Sequence, residues 1–256
     1  MLLHGNPTSS HLWRHVLARA PGTGHRWIAP DLIGMGSSPK PDIAYTLADH
    51  IAHVDAFLSA LDVSDPVLVG HDWGVAIALD RLRRFPSSVR GVAFMEAHLR
   101  PLPGWEAIDD LFRSLRAPGV GERMVLEENF FIDTLLPAAL NRSVPLSAYQ
   151  APYPTPESRR PLLAWARQIP IGGEPASSAS LMAAAAAGLT NSEIPKLLLH
   201  GGDGVLITPP VVAWCRANVS NLTVTDVGPA GHFLPEDRPE EVADALIGWV
   251  GGLPVR

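Results

Sequence analysis

One cysteine, Cys215, is all the sulfhydryl that 256 residues carry. No internal disulfide can form, which suits a reducing compartment, and a cytoplasmic protein is expected. No uncharged run reaches membrane-spanning length; the alanine-rich stretch from Leu181 to Leu189 is far too short. No positively charged leader precedes an apolar segment, so no signal peptide is expected. Charge is sparse at 18% of residues, and the formal net charge is -6. No basic stripe offsets that balance, which argues against nucleic acid as a partner. Internal repeats are absent too. What remains is a chain with 46% hydrophobic residues, enough for one substantial core and an inserted subdomain.

Three apolar stretches end in glycine-rich or polar loops. Met1-Leu2-Leu3 runs into His4-Gly5-Asn6-Pro7, Pro66 to Val69 into Gly70-His71-Asp72, and Val89 to Met95 into Glu96. Between the first two, Leu47, Ile51, Val54, Phe57 and Leu58 recur at helical spacing behind Thr46, a natural cap. A second helix is predicted from Gly74 to about Phe85, stopped by Pro86. Strand, helix, strand at this spacing predicts a mostly parallel sheet covered on both faces. From Pro101 to about Asn191 no convincing strand appears. Helical pieces are predicted at Trp105 to Leu115, Gly121 to Leu136 and Arg159 to Ile169, with an extended proline-rich linker from Gln150 to Pro156. Ile171 to Ser180 reads as a cap segment or else as an exposed loop. The sheet then resumes with strands at Pro195 to His200 and Leu222 to Val227, separated by a helix at Val211 to Ala217. A closing helix is predicted from Pro239 to Val250. This divides the chain into a core, 1–100 and 191–256, and a helical cap, 101–190.

Open parallel sheets place ligands beyond the carboxyl ends of their strands. Asp72, Glu96, His232 and Asn6 each fall there. Leu68-Val69-Gly70-His71-Asp72-Trp73-Gly74 is a nucleophile-elbow context with Asp in place of the usual Ser, and the order nucleophile, acid, late histidine is that of a hydrolase triad. A carboxylate there points to displacement at carbon through an enzyme-bound ester. His232 is then the base that activates water, Glu96 the acid that orients it, and Asn6 and Trp73 donors for an anionic leaving group. Each residue alone also has an ordinary structural reading, as a cap, turn or loop residue; their joint place at strand ends argues for function. Asp203, after the Pro195 to His200 strand, competes with Glu96 for the acid role. His4, His71 and His98 read as structural, and no ligand spacing supports a metal site.

These residues resemble the haloalkane dehalogenases of the α/β-hydrolase superfamily over nearly the whole chain. The resemblance is carried by His4-Gly5-Asn6-Pro7, Pro30-Asp31-Leu32-Ile33-Gly34-Met35-Gly36, Gly70-His71-Asp72-Trp73-Gly74, Phe94-Met95-Glu96, Pro170-Ile171-Gly172-Gly173-Glu174-Pro175 and Gly228-Pro229-Ala230-Gly231-His232-Phe233. It implies an α/β-hydrolase fold with an inserted helical cap, and a triad of Asp72, Glu96 and His232. It further implies Asn6 and Trp73 as the halide-binding pair. Phe112, Phe131, Trp165 and Leu206 are implied as the walls of the substrate pocket, with plain core packing as their other reading. The implied reaction turns a small apolar haloalkane and water into a primary alcohol and halide, with no cofactor and no metal. A monomer is expected, without nucleic-acid or membrane partners. Two departures stand out. Family members carry further strands before the His4-Gly5 loop, so an N-terminally truncated sheet is expected; and Ala166 stands where relatives often have Pro. An epoxide hydrolase is the nearest rival, and it would need Tyr149 and Tyr153 facing Asp72. An inactive hydrolase-fold protein is the other alternative.

Overall fold

The computed structural model describes residues 1–108 and 110–254. Its centre is a five-stranded, all-parallel sheet in the order β1 (Leu2–Leu3), β2 (Val67–His71), β3 (Gly91–Met95), β4 (Lys196–His200) and β5 (Leu222–Asp226). The register pairs Leu3 with Gly70, His71 with Met95, Phe94 with Leu198, and His200 with Asp226. The strand ends therefore lie side by side, and the loops that follow them share one edge.

Alternation along the strands splits the core in two. Leu68, Val92, Phe94 and Leu198 belong to one buried cluster; Val69, Ala93, Met95, Leu197 and Leu199 belong to another on the opposite face. Side chains two apart share a face, and both faces here meet helices, so β2 to β4 are buried along nearly their whole length, while the edge strand β5 alternates. Helix α1 (Arg14–Arg19) covers the second face together with the closing helix. Helices α2 (Leu47–Ala60) and α3 (Trp73–Arg84) cover the first. Thr46 and Asp49 form a reciprocal capping box at the start of α2.

Between β3 and β4 the chain is helical and interrupted. The helix predicted over Trp105 to Leu115 is a short 3-10 turn at Trp105–Ala107 and then α4 (Leu111–Arg116); residue 109 lies outside the described residues. The one predicted over Gly121 to Leu136 is a chain of short turns. Two of these, Arg123–Glu127 and Phe131–Leu135, have the wider π-type hydrogen bonding. Helix α5 (Arg160–Gln168) matches its predicted position. In the predicted linker, Gln150 instead closes a helical turn at Ser147–Gln150. The longest helix, α6 (Ala176–Asn191), lies in the stretch expected to be helical but matches none of the three pieces named there, and its first turn falls where an exposed loop is the other reading. Its Ala185 and Gly188 are buried, and it packs along α3. After β4 come α7 (Pro209–Asn218) and, after β5, α8 (Pro239–Gly251), both close to expectation. No helix among the described residues is long and apolar enough to cross a membrane.

Candidate active site

The turn between β2 and α3 holds Asp72 at φ 50° and ψ -124°. That is a costly conformation for a residue with a Cβ, and it is found where a neighbouring structure forces it. The neighbours here are close. A Cβ on Gly74 would lie 2.2 Å from Leu3 O, and one on Gly5 would lie 2.4 Å from Asp72 Oδ2. Glycine on each side lets β1 and its loop press against the elbow. As a result the Asn6 backbone N–H donates to Asp72 Oδ2 at 2.8 Å. Burial pushes the Asp72 pKa upward; the charge of His232 and the N–H groups of Asn6 and Trp73 pull against that without cancelling it.

Glu96 follows β3 at φ 39° and is fully buried. Its carboxylate accepts backbone N–H groups from one loop: Val205 at 3.2 Å, Leu206 at 2.9 Å and Ile207 at 3.2 Å. Its Oε2 lies 3.5 Å from His232 Nδ1, longer than a normal hydrogen bond, as is common in sites without substrate. Burial alone would lower the His232 pKa, but Glu96 and Asp72 outweigh it and the net shift is upward. Asp203 is exposed, and the carboxylate that meets His232 is that of Glu96.

Two histidines read as structural take definite parts in this frame. His4 Nε2 accepts the Leu32 N–H at 2.9 Å, so Nδ1 carries the proton and donates to Gly5 O at 2.9 Å. That bond fixes the loop bearing Asn6. His71 Nε2 donates to the carbonyl of His232 at 2.7 Å. Burial lowers the pKa of both, to about 4 for His4 and well below the imidazole range for His71, which keeps both neutral.

A cavity of about 430 Å³ opens over Asp72. Asn6, Trp73 and His232 line it with Asp72, and Phe112, Phe131, Ile169 and Leu206 supply apolar wall. Trp165 is not part of that wall, contrary to the expectation from sequence. It is fully buried on the inner side of α5 and stacks behind Trp73, with ring centres 4.6 Å apart; His50 stacks on its other face at 3.9 Å. The next residue on the helix, Ala166, faces the cavity instead, because one step rotates a side chain by about 100°. His98 and Ile169 also line the cavity. Neither was singled out as a wall residue: Ile169 lay at the end of a predicted helix, and His98 looked like one more loop histidine. Asn6 Nδ2 donates to Leu162 O at 3.3 Å, which uses one of its two hydrogens. Neither Tyr149 nor Tyr153 reaches the cavity. The Tyr149 hydroxyl donates to Glu236, and that of Tyr153 sits 3.4 Å from Met35 Sδ. Among the described residues no group of three or more His, Cys, Asp or Glu is placed to hold a metal.

Residues 1–239 match the family model for the alpha/beta hydrolase fold. A haloalkane dehalogenase of Mesorhizobium japonicum is 43% identical, over 98% of this chain and 83% of the relative. One from Bradyrhizobium diazoefficiens is 41% identical, over 99% and 87%. The chain belongs to the haloalkane dehalogenases. Solved structures agree with that placement. A putative ancestral haloalkane dehalogenase superposes with a TM-score of 0.93 at 43% identity, covering 97% of this chain and 89% of the other. The haloalkane dehalogenase of Agrobacterium tumefaciens gives 0.90 at 41% identity, covering 97% and 87%. In a dehalogenase, an elbow carboxylate with an imidazole in the same apolar cavity is the equipment for cleaving a bond to carbon.

Proposed function

We propose that this enzyme hydrolyses the carbon–halogen bond of small apolar haloalkanes through an ester on Asp72. The observation that carries the reading is the state of the two Asp72 oxygens. Oδ2 is held by the Asn6 N–H, and the attack is assigned to the other oxygen, Oδ1. In the first step Oδ1 displaces halide from carbon, forming a carbon–oxygen bond as the carbon–halogen bond breaks. The indole N–H of Trp73 and the second amide hydrogen of Asn6 receive the departing anion. An apolar wall keeps water from solvating Oδ1 and blunting it. In the second step His232 takes a proton from water, and the hydroxide adds to the ester carbonyl. The charge then falls on Oδ2, already beside the Asn6 N–H. Collapse expels the alkoxide, which leaves as the alcohol once protonated. Glu96 holds the imidazole by Nδ1 and stabilises its charged form. The sum is haloalkane plus water to primary alcohol, halide and a proton, with no cofactor.

The epoxide hydrolase reading needs acidic hydroxyls at the ring oxygen, and both cap tyrosines point elsewhere. Halide release from a short bromoalkane by folded protein tests the proposal. Release at multiple turnovers is expected. No release, together with turnover of a simple epoxide, would overturn it.

A further inference from the structure

A second cavity, of about 640 Å³, lies beside the first. Four residues line both: His98, Ala107, Val205 and Leu206. The outer cavity continues between the loop after β3 and the helices α6 and α7, and Leu99, Pro101, Leu102, Ala186, Ala187 and Val211 make its wall largely apolar. Arg100 also lines it, an exposed side chain whose guanidinium lies 5.6 Å over the Trp214 ring rather than on a described carboxylate. Val205, on the lip between the two spaces, is 55% exposed. A large apolar side chain left uncovered at such a junction marks a surface that a ligand can bury.

We propose that the two cavities form one extended substrate channel, which accepts long ω-haloalkanoates: halide end at Asp72, hydrocarbon chain past His98 and Val205, and carboxylate at Arg100. The inference rests on the dehalogenase reading of the inner cavity and goes beyond it in naming an anionic, chain-length-dependent substrate class. The passage suits a hydrocarbon. Ala107, Val205 and Leu206 are apolar, and His98, its pKa lowered to about 4 by burial, is uncharged at neutral pH. A short haloalkane occupies only the inner space and leaves Arg100 untouched. A long neutral haloalkane buries the lip but gives Arg100 nothing. Only a long chain with an anionic end uses all three features. Arginine is the residue type that grips a carboxylate with two parallel hydrogen bonds.

The test compares a series of ω-bromoalkanoates, from bromobutanoate to bromododecanoate, with bromoalkanes of matched length and with bromobutane. Bromide release is followed in the native protein, in Arg100→Gln and in Ala186→Phe, which narrows the outer cavity only. The ratio of kcat/KM for acid over matched bromoalkane is expected to rise with chain length to an optimum. Arg100→Gln is expected to lower that ratio about tenfold at the optimum, the worth of one charge-assisted contact. Ala186→Phe is expected to move the optimum to shorter chains. If bromobutane is turned over but the acids show no length optimum, or Arg100→Gln leaves the ratio unchanged, the channel proposal fails and the dehalogenase reading stands. If bromobutane is not turned over either, both fail.

Discussion

The division of labour between Asp72 and His232 is the sharpest thing the site predicts. Removing the base while keeping the nucleophile stops the cycle halfway. His232→Gln is therefore expected to release about one bromide per enzyme and then stall, and mass spectrometry should find the alkyl group on the peptide containing Asp72. Steady turnover, or alkylation elsewhere, would contradict the scheme. Asp72→Asn should release no halide at all. Glu96 and Asp203 separate in the same way. Glu96→Gln is expected to cost turnover by about a hundredfold or more, because it withdraws the group facing His232 Nδ1; Asp203→Asn, on an exposed side chain, is expected to change little. The pH dependence has a definite sign. His232 works only when neutral, and its pKa is raised above 6.5 in the folded enzyme. Ester hydrolysis should therefore fall as pH drops through the His232 pKa of the alkyl-enzyme, which Glu96 still raises while the esterified, uncharged Asp72 no longer does. In Glu96→Gln the midpoint of the residual rate should move down, since one of the interactions that raise it is gone.

At the scale of elements, legibility followed how strongly a segment's sequence contrasts with its neighbours. Strands β2 to β4 were readable because each is a short apolar run closed by a turn, and β5 because apolar Leu222 and Val224 alternate with threonine. The capping box at Thr46 and Asp49 was half visible in the sequence. Asp72 and Glu96 stood out because a carboxylate directly after a buried strand needs a reason. Trp165 was misplaced because neighbouring positions on a helix face different ways, and which of them meets the cavity is decided by tertiary packing. Helix α6 was missed for a different cause: Ala176 to Asn191 is built of alanine, serine and other small residues with little contrast around its circumference. Its fit is made by what is absent. A Cβ on Gly188 would lie 2.9 Å from Arg83 Cβ and 3.2 Å from Leu79 O on α3. Small side chains there let the two helices approach closely. Gly188→Leu is accordingly expected to destabilise the fold by about 2 kcal/mol or more through overpacking, whereas Gly248→Leu, at a helical site where a Cβ meets nothing within 4 Å, should not. Urea melts of the two variants check the contrast, and equal losses would mean that α3 and α6 are not closely packed in solution.

For the whole molecule, the buried histidines outside the triad give stability a pH dependence of its own. His4 and His98 are held at pKa values of about 4 and His50 at about 3, in each case first by burial. An unfolded chain would protonate all three near 6.5. Below that value the unfolded state binds protons that the folded state refuses, so stability drops as pH falls from 6.5 towards 4. For His4 alone the loss is roughly 3 kcal/mol across that window. His232 works the other way: its raised pKa adds stability below 6.5 that is lost as pH rises through its folded pKa. Carboxylates with depressed pKa values, such as Asp31 and Glu236, lose their contribution only at lower pH. Acid unfolding should therefore begin as a histidine event. His50 isolates the effect, because neither of its ring nitrogens has a hydrogen-bond partner among the described residues and it stacks on Trp165. His50→Leu removes one titrating group without stranding a partner. Between pH 6 and about 4.5, the slope of unfolding free energy against pH is expected to fall by about 1.4 kcal/mol per pH unit, the value for one proton. An unchanged slope in urea titrations across that range would mean that His50 takes up its proton in the folded state, and that the ring stack behind Trp73 is open to water.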